Sequence, residues 1–387
     1  MKYWRGYLVA AIFVAISWAL TEFAKAHTVL VDMIYPYITR MVVSAFADWT
    51  GGLSFCLWQV FLVGLVAAGI VTIALMIVLR WNPIQWLGWV VATVSCIAML
   101  NNVVYGLNEY AGPLADDIRL EVTDYTVSEL NDAVVYFRDQ ANALAGKIKR
   151  DAKGNPDFGT FEEMAQQAAE GFEVLTYEEA ISVFAGSTAP VKELTWGATK
   201  GKSGTIVPLT GEAAVNPNVP TAAMPFSMCK EMARRMAIYS DADAKFAAFL
   251  AGIHNSSPEF QYSAYLMAYH YSFAALSSVP TSTAQACATK TSAGVNSLMR
   301  QDLEKCQKFF GDEEVATSAG SGSSGERTTG GTASMITFST YSDVSDLLAS
   351  WHIQNFVLPL HQEEEEPFNP LDPSQVDLSG IVNAKVN

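Results

Sequence analysis

The sequence lacks an excess of basic residues and several common catalytic motifs. Its 387 residues include 24 Lys and Arg against 39 Asp and Glu, which gives a formal net charge of −15. Proteins bind nucleic acids by neutralising phosphates with basic patches, so this balance argues against a DNA or RNA partner. The chain has neither a Gly-x-Ser-x-Gly elbow nor a phosphate-binding glycine loop, so acyl transfer and phosphoryl transfer have no support.

Histidine and cysteine are scarce. The five histidines include no pair at metal-ligand spacing on one helix, and the five cysteines lack metal-type spacing. If the part of the chain that holds Cys287 and Cys306 is extracellular, these two could form a disulfide and leave Cys229 buried. Three free thiols are the alternative, because sequence alone does not fix connectivity.

Three long apolar runs are the main positive feature. They cover residues 6–24, 53–79 and 86–105, and each reaches or approaches the roughly 20 residues that a helix needs to cross a bilayer. The first run follows Lys2 and Arg5, as in a signal peptide, but no small-residue cleavage site follows it. We therefore predict three membrane-spanning helices, the first of them an uncleaved anchor.

Basic residues beside the runs predict the orientation. Lys2, Arg5 and Arg80 fall on one side, and Lys25 and Arg40 on the other. The positive-inside rule then places the N-terminus in the cytoplasm. Three crossings put everything after about residue 106 outside the cell, and the lipid bilayer is the first expected partner.

The segment between the first two runs, residues 28–49, mixes apolar and aromatic side chains with Asp32, Arg40 and Asp48. This pattern is typical of a helix in the membrane interface, with Pro36 interrupting it or setting its angle. A loop packed on the soluble domain is the alternative. We therefore assign residues 1–106 to a membrane region.

The soluble part has helical periodicity at its start and little regularity at its end. Apolar residues spaced by three and four predict a core helix over residues 125–150, and a second helix is expected at 161–173. A soluble domain over 107–315 is followed by a Gly/Ser/Thr linker at 316–335. Residues 336–387 are predicted to hold a docking helix and an acidic, proline-rich tail.

One segment, Cys229-Lys230-Glu231-Met232-Ala233-Arg234, reads like a zinc-protease helix with both histidines replaced. In His-Glu-x-x-His, two imidazoles one turn apart hold zinc and the Glu acts as general base on the metal-bound water. Lysine binds a metal only when deprotonated, and arginine essentially cannot lose its proton. We therefore expect no metal and no cofactor, with Glu231 left as a vestigial general base.

Several segments carry a more specific resemblance. They are residues 105–110 with 113–114, residues 125–130, Thr210-Gly211-Glu212-Ala213-Ala214-Val215-Asn216, the motif helix, residues 241–246 and residues 262–266. In this order they resemble a bacterial membrane family known as domain of unknown function 3810, over residues 1 to about 280. The resemblance implies a mainly α fold, with a three-helix transmembrane region followed by a mostly helical α+β zincin-like domain, in the bacterial cell membrane.

The resemblance also implies site residues. In intact members two His ligands and a Glu base are followed by an acidic residue, the third ligand. These positions correspond here to Lys230, Arg234, Glu231 and Asp243, so three of the four depart from the pattern. Lys230 or Arg234 could replace the dication and pair with Glu231 and Asp243 in a buried cluster. The alternative is a solvated helix face formed by Lys230, Glu231, Arg234 and Arg235.

We therefore expect a membrane-anchored pseudoenzyme, a metalloprotease homologue without catalysis. Its extracytoplasmic domain is expected to scaffold or bind a protein or peptide partner at the inherited cleft. An active metallopeptidase with ligands rearranged around His254 or His270, Glu231 and Asp243 is one alternative. A purely structural membrane scaffold is the other.

Overall fold

A computed structural model of the chain describes residues 4–320, 328–330, 335–337, 341 and 343–357. It is mainly helical, as predicted, and it opens with α1 (Arg5–Ala26), α2 (Thr28–Gly51), α3 (Leu57–Val78) and α4 (Pro83–Val104). Among the described residues, these four helices are long and apolar enough to cross a membrane. The prediction of three such helices is therefore not confirmed. The additional one is α2, whose three charged residues are too few to lower the apolar character of a 24-residue helix.

Helices α1 and α4 pack side by side in the same direction. A Cβ added to Gly6 would lie 2.3 Å from the carbonyl carbon of Gly88, so the backbones touch near both helix starts. Near the helix ends, the Asn102 amide donates to the hydroxyls of Ser17 at 3.0 Å and Thr21 at 3.2 Å. Small residues allow such close approach in apolar surroundings. Because the two helix starts touch each other and the two helix ends touch each other, the helices run parallel.

Helix α3 has little protein around it. Its single buried side chain is Gln59, whose amide nitrogen donates to the carbonyl oxygen of Trp196 at 2.9 Å. The rest of the helix carries apolar side chains on every face, mostly exposed. A helix that is apolar all round is either deeply buried in protein or surrounded by lipid, and α3 is not buried in protein.

The remaining described elements build the globular domain. They are α5 (Leu114–Asp117), α6 (Val127–Ala145), α7 (Phe161–Tyr177), α8 (Met224–Arg235), α9 (Asp241–Ile253), α10 (Pro258–Ser278), α11 (Ser282–Ala293), α12 (Ser297–Gly320) and α13 (Val344–His352). The strands are β1 (Tyr125–Thr126), β2 (Lys192–Glu193), β3 (Gly204–Val207), β4 (Glu212–Val215), β5 (Thr328–Gly330) and β6 (Met335–Thr337). The zincin-like α+β class remains a prediction.

Two small sheets complete the domain. In one, β6 lies between β1 and β5 and is antiparallel to both. In the other, β4 lies in the centre, parallel to β2 and antiparallel to β3, with Gly204 opposite Val215. The second sheet packs against α8, which carries the motif residues.

Helices α6 and α7 show how local sequence determines these elements. Each begins with a capping box, Thr126 with Glu129 in α6 and Thr160 with Glu163 in α7. In a capping box the two side chains satisfy the free backbone N–H groups of the first turn. The apolar stripe of α6 then faces the core, where Phe137 is fully buried. The helix predicted at 125–150 therefore exists, although it ends at Ala145.

The C-terminal helix α13 packs back on the domain. Leu347 and Leu348 are fully buried, and the ring of Trp351 lies 5.0 Å from that of Phe249. This helix falls where the docking helix was predicted. Helix α12 extends to Gly320 and so enters the predicted linker. Most of that linker, and the predicted acidic tail beyond residue 357, lie outside the described residues. Cys287 and Cys306 do not form a disulfide, and Cys56, Cys96, Cys229 and Cys287 are free thiols.

Candidate functional site

The motif helix α8 lies between the second sheet, α9 and the C-terminal end of α4. Its first turn is held by Ser263, whose hydroxyl accepts the backbone N–H of Phe226 at 3.1 Å. Its last turn is held by Tyr105, whose hydroxyl donates to the carbonyl oxygen of Arg234 at 2.9 Å. Because Tyr105 caps α4, the motif lies directly beside the end of a long apolar helix.

Glu231, the expected vestigial base, is buried between α8 and the second sheet. Its side chain is 0% exposed, and its Oε1 accepts a hydrogen bond from the Ser203 hydroxyl at 2.8 Å. The Oε2 atom has no hydrogen-bond partner among the described residues. A Cβ added to Gly204 would lie 2.8 Å from the Cγ of Glu231 and 2.2 Å from the carbonyl oxygen of Ala214. Strand β3 therefore closes over the carboxylate and separates it from solvent.

Arg234, at the second former histidine position, is half-buried beside Glu231. Burial disfavours its charge, but attraction from Glu231, Tyr105 and Asp241 raises its pKa above the usual value. Its Nε has no hydrogen-bond partner among the described residues. Arg234 thus supplies a permanent positive charge next to the buried carboxylate.

Lys230, at the first former histidine position, pairs with α9. Its Nζ lies 2.7 Å from Oδ1 of Asp241, while Lys245 reaches Oδ2 of the same carboxylate at 3.0 Å. Burial opposes ionisation of Asp241, but the two lysines outweigh it and hold the pKa of this carboxyl well below its usual range. Lys245 also lies over the Tyr271 ring, 4.5 Å from its centroid. The lone pair of the Lys230 amine is thus unavailable to a metal.

Asp243, the implied third ligand, lies on a different side of α9. It is 6% exposed, and its Oδ1 accepts a hydrogen bond from the Tyr341 hydroxyl at 2.7 Å. Burial raises its pKa to about 6. Within the part of the chain that the structure describes, no ion pair joins it to Lys230 or Arg234. The first of the two alternatives, a cluster in which Lys230 or Arg234 pairs with Asp243, is therefore not formed among the described residues.

The alternative of a solvated helix face does not describe α8 either. Arg235 is 1% exposed, and its Nη2 donates to the carbonyl oxygens of Ser187 at 2.8 Å and Ala189 at 2.6 Å. Burial lowers its pKa to about 10. The Ser187 hydroxyl in turn donates to Asp48 of α2 at 2.6 Å. The motif helix is thereby connected to α2 through one loop.

The histidines do not rebuild a metal site. Among the described residues, no group of three or more His, Cys, Asp and Glu side chains is placed to hold a metal ion. His254 caps the end of α9, with its Nδ1 2.8 Å from the carbonyl oxygen of Leu250. The rearranged site of His254 or His270 with Glu231 and Asp243 is therefore not assembled.

A buried charge pair away from the motif helix was not anticipated from the sequence. Lys192 of β2 and Glu212 of β4 approach to 2.6 Å, with side chains that are 7% and 0% exposed. Glu212 accepts the backbone N–H groups of Leu57 at 2.7 Å and Trp58 at 2.9 Å, which begin α3. Lys192 donates to the carbonyl oxygen of Thr50, near the end of α2, at 3.0 Å. Each charge thus complements a helix dipole.

Helix α2 is bonded to the domain along most of its length. Asp32 accepts the backbone N–H of Gly112 at 2.7 Å, Arg40 donates to the carbonyl oxygen of Ser182 at 2.7 Å, and the Thr50 hydroxyl donates to Thr210 at 3.2 Å. Gly211 has a φ of +68°, and a Cβ there would lie 2.2 Å from the backbone nitrogen of Ala47. The opposite face of α2 is apolar and exposed, with Leu30, Met33, Ile34, Tyr37, Ile38, Met41 and Trp49.

The long apolar helices beside a mainly helical domain indicate a membrane-associated helical protein. Residues 31–320 match the model of a family described as protein of unknown function, DUF3810. This match covers well over half of the chain, so the protein belongs to that family. No curated protein and no solved structure shows a significant match. The family membership expected from the sequence is confirmed, whereas its zincin-like character remains a prediction.

Proposed function

We propose that this protein is a membrane-anchored, non-catalytic homologue of zinc metalloproteases whose extracytoplasmic domain acts as a scaffold at the membrane surface. The observation that carries the proposal is the state of the motif helix. Lys230 forms an ion pair with Asp241, and Glu231 is buried behind β3. A general base must lie within hydrogen-bond reach of the proton it abstracts, and no substrate reaches Glu231 in this arrangement.

The charges of the motif also oppose a metal. Two unit charges about 4 Å apart interact by roughly 4 kcal/mol at an effective dielectric near 20, and a dication doubles this value. Arg234 beside Glu231 would repel zinc by such an amount, and Lys230 could bind it only after losing both its proton and Asp241. The same burial argues against a peptide bound at the former site, so scaffolding is favoured over peptide binding there.

The anchor is proposed to cross the membrane three times, through α1, α3 and α4. Helices α1 and α4 run parallel. If both cross the membrane, the chain must cross it an odd number of times between them. Helix α3, which has little protein around it, is suited to cross the membrane in the opposite direction. Between Asp32 and Thr50, α2 extends about 27 Å at 1.5 Å per residue, close to the roughly 30 Å hydrocarbon core. If α2 spanned, the domain residues bonded along it would enter the hydrocarbon.

Helix α2 is therefore proposed to lie along the outer membrane surface, with its apolar face toward lipid and its other face on the domain. The basic residues Lys2, Arg5 and Arg80 favour a cytoplasmic N-terminus. The domain would then be extracellular and pressed against the bilayer.

Metal analysis of the purified full-length protein tests the absence of catalysis. We expect zinc well below one ion per chain, with no difference among the parent, Glu231→Gln and Asp243→Asn. Glu162→Gln, an exposed carboxylate on α7, is the matched control. Stoichiometric zinc that is lost in Glu231→Gln or Asp243→Asn but kept in Glu162→Gln would show a working metal centre and overturn the proposal.

Cysteine accessibility in intact cells tests the topology. His27→Cys and Gly52→Cys lie at the two ends of α2, and a membrane-impermeant maleimide should label both from outside. With the native cysteines replaced by alanine, because Cys287 is a partly exposed free thiol, Arg80→Cys in the turn between α3 and α4 should react only after the cells are opened. Labelling of His27→Cys and Gly52→Cys from opposite sides would mean that α2 crosses the membrane.

A further inference from the structure

A groove of about 230 Å³ lies where α3 begins, between its first two turns and the segment that follows β2. Gln59 fixes the two walls together, because its Nε2 donates to the carbonyl oxygen of Trp196 at 2.9 Å and its Oε1 accepts from the Thr195 hydroxyl. The ring of Trp196 is also 5.9 Å from that of Trp58. These hydrogen bonds and the ring contact thus hold the two sides of the groove in place.

The accessible lining of this groove is apolar. Val60 and Val63 from α3 are 51% and 58% exposed, while Phe55 and Trp196 are each 44% exposed. Gln59, the polar group of the helix wall, is 3% exposed and already bonded through both ends of its amide. A ligand of this groove consequently meets hydrocarbon and aromatic surface and gains little from polar groups.

The position of the groove identifies its occupant, given the proposed function in which α3 crosses the membrane. Glu212 holds the N-terminus of α3 at the domain, and Val63 lies six residues further along the helix. Six residues correspond to about 9 Å, a depth that leads from the headgroup zone into the outer hydrocarbon. Trp196 lies beside this stretch, as is usual for tryptophan at membrane interfaces.

We propose that this groove binds one acyl chain of a phospholipid from the outer leaflet. The groove is small, at about 230 Å³, and it is bounded by one helix and two loop residues, so a single acyl chain suits it better than a helix about 10 Å across with its side chains. The groove is continuous with the lipid-facing surface of α3, so a chain enters it without leaving the bilayer. Once bound, the chain covers Val60, Val63 and the Trp196 ring together.

Photolabelling tests this site. The full-length protein is reconstituted in vesicles of phosphatidylethanolamine and phosphatidylglycerol that contain a phosphatidylcholine with a diazirine in its acyl chain, and crosslinked peptides are mapped by mass spectrometry. We expect crosslinks concentrated at Val60, Val63 and Trp196. Val63→Trp fills the groove and should reduce this labelling at least fivefold. Leu65→Trp, at the same depth on the opposite face of α3, should leave it unchanged.

Two results would overturn the assignment. Equal labelling around the whole helix, or equal loss in both variants, would mean that the lipid is an ordinary neighbour of α3. Crosslinks that join two copies of the chain at Trp196 would mean that a protein surface covers the groove. Failure of the membrane proposal itself looks different, because alkaline carbonate would then release the protein from vesicles before any labelling is measured.

Discussion

The pair Lys192–Glu212 offers the sharpest test of how the domain is attached to the apolar helices. Replacing Glu212 by Leu removes the partner of Lys192 and the acceptor of the first two N–H groups of α3. Lys192 is 7% exposed and cannot reach water without rearrangement. Breaking a buried pair by removing one partner costs about 3–5 kcal/mol, because an uncompensated charge remains buried.

We expect Glu212→Leu to lose about 4 kcal/mol of unfolding free energy. For a domain of 150–250 residues each kcal/mol shifts the melting temperature by about 2–4 °C, so a decrease of about 8–16 °C is expected in thermal unfolding of the detergent-solubilised protein. The matched control is Glu193→Leu on the exposed side of β2, which should stay within about 0.5 kcal/mol of the parent.

A double variant separates the charge effect from loss of packing. Replacing a buried ion pair by apolar residues of similar volume is often nearly neutral. Lys192→Met combined with Glu212→Leu should therefore recover most of the stability lost in Glu212→Leu alone. The reasoning is refuted if Glu212→Leu melts with the Glu193→Leu control, or if the double variant is as unstable as the single one.

Two further predictions concern α9 and the α1–α4 pair. Burial raises the pKa of Asp243 to about 6, so its protonated form stabilises the fold below about pH 4 and this contribution is lost as the pH rises through 6. Asp243→Asn should accordingly gain stability relative to the parent by roughly 2–3 kcal/mol between pH 4 and pH 7, measured by denaturant unfolding; a constant difference would contradict this. Gly6→Ala should cost about 1–3 kcal/mol, because its Cβ would meet Gly88 at 2.3 Å. Gly64→Ala, with open space around it, should cost nothing in the same melting assay, and equal effects would contradict the close contact.

Local patterns were sufficient for the regular helices. The stripe that predicts α6 depends on neighbours three or four positions apart, and the runs that predict α1, α3 and α4 are continuous apolar stretches, so the sequence shows both directly. Helix α2 was harder, because its charged residues suggest an interface while its overall composition allows a span. The proposal that α2 lies on the surface rests on its bonds to Ser182 and Thr210, and these partners lie 142 and 160 positions away along the chain.

The motif residues show a similar limit. Glu231 lies on a helix, as the motif predicts. The sequence indicated Asp243 as the acidic partner, whereas the structure pairs Lys230 with Asp241. Asp241 and Asp243 are two positions apart on one helix. Their side chains point in nearly opposite directions, because each residue turns the helix by about 100°. The Lys192–Glu212 pair could not be predicted from local sequence, because its other partners lie far away in the chain, at the start of α3 and the end of α2.

The capped start of α3 has a mechanical consequence. Membrane helices usually adapt to bilayers of different thickness by sliding or tilting, at a cost of fractions of a kcal/mol per Å of mismatch. In the proposed topology the outer end of α3 is fixed to β4 through Glu212. A thicker or thinner bilayer would therefore displace the cytoplasmic turn near Arg80 or pull on the sheet itself. The depth of α3 is then determined by the folded domain and not by the lipids around it.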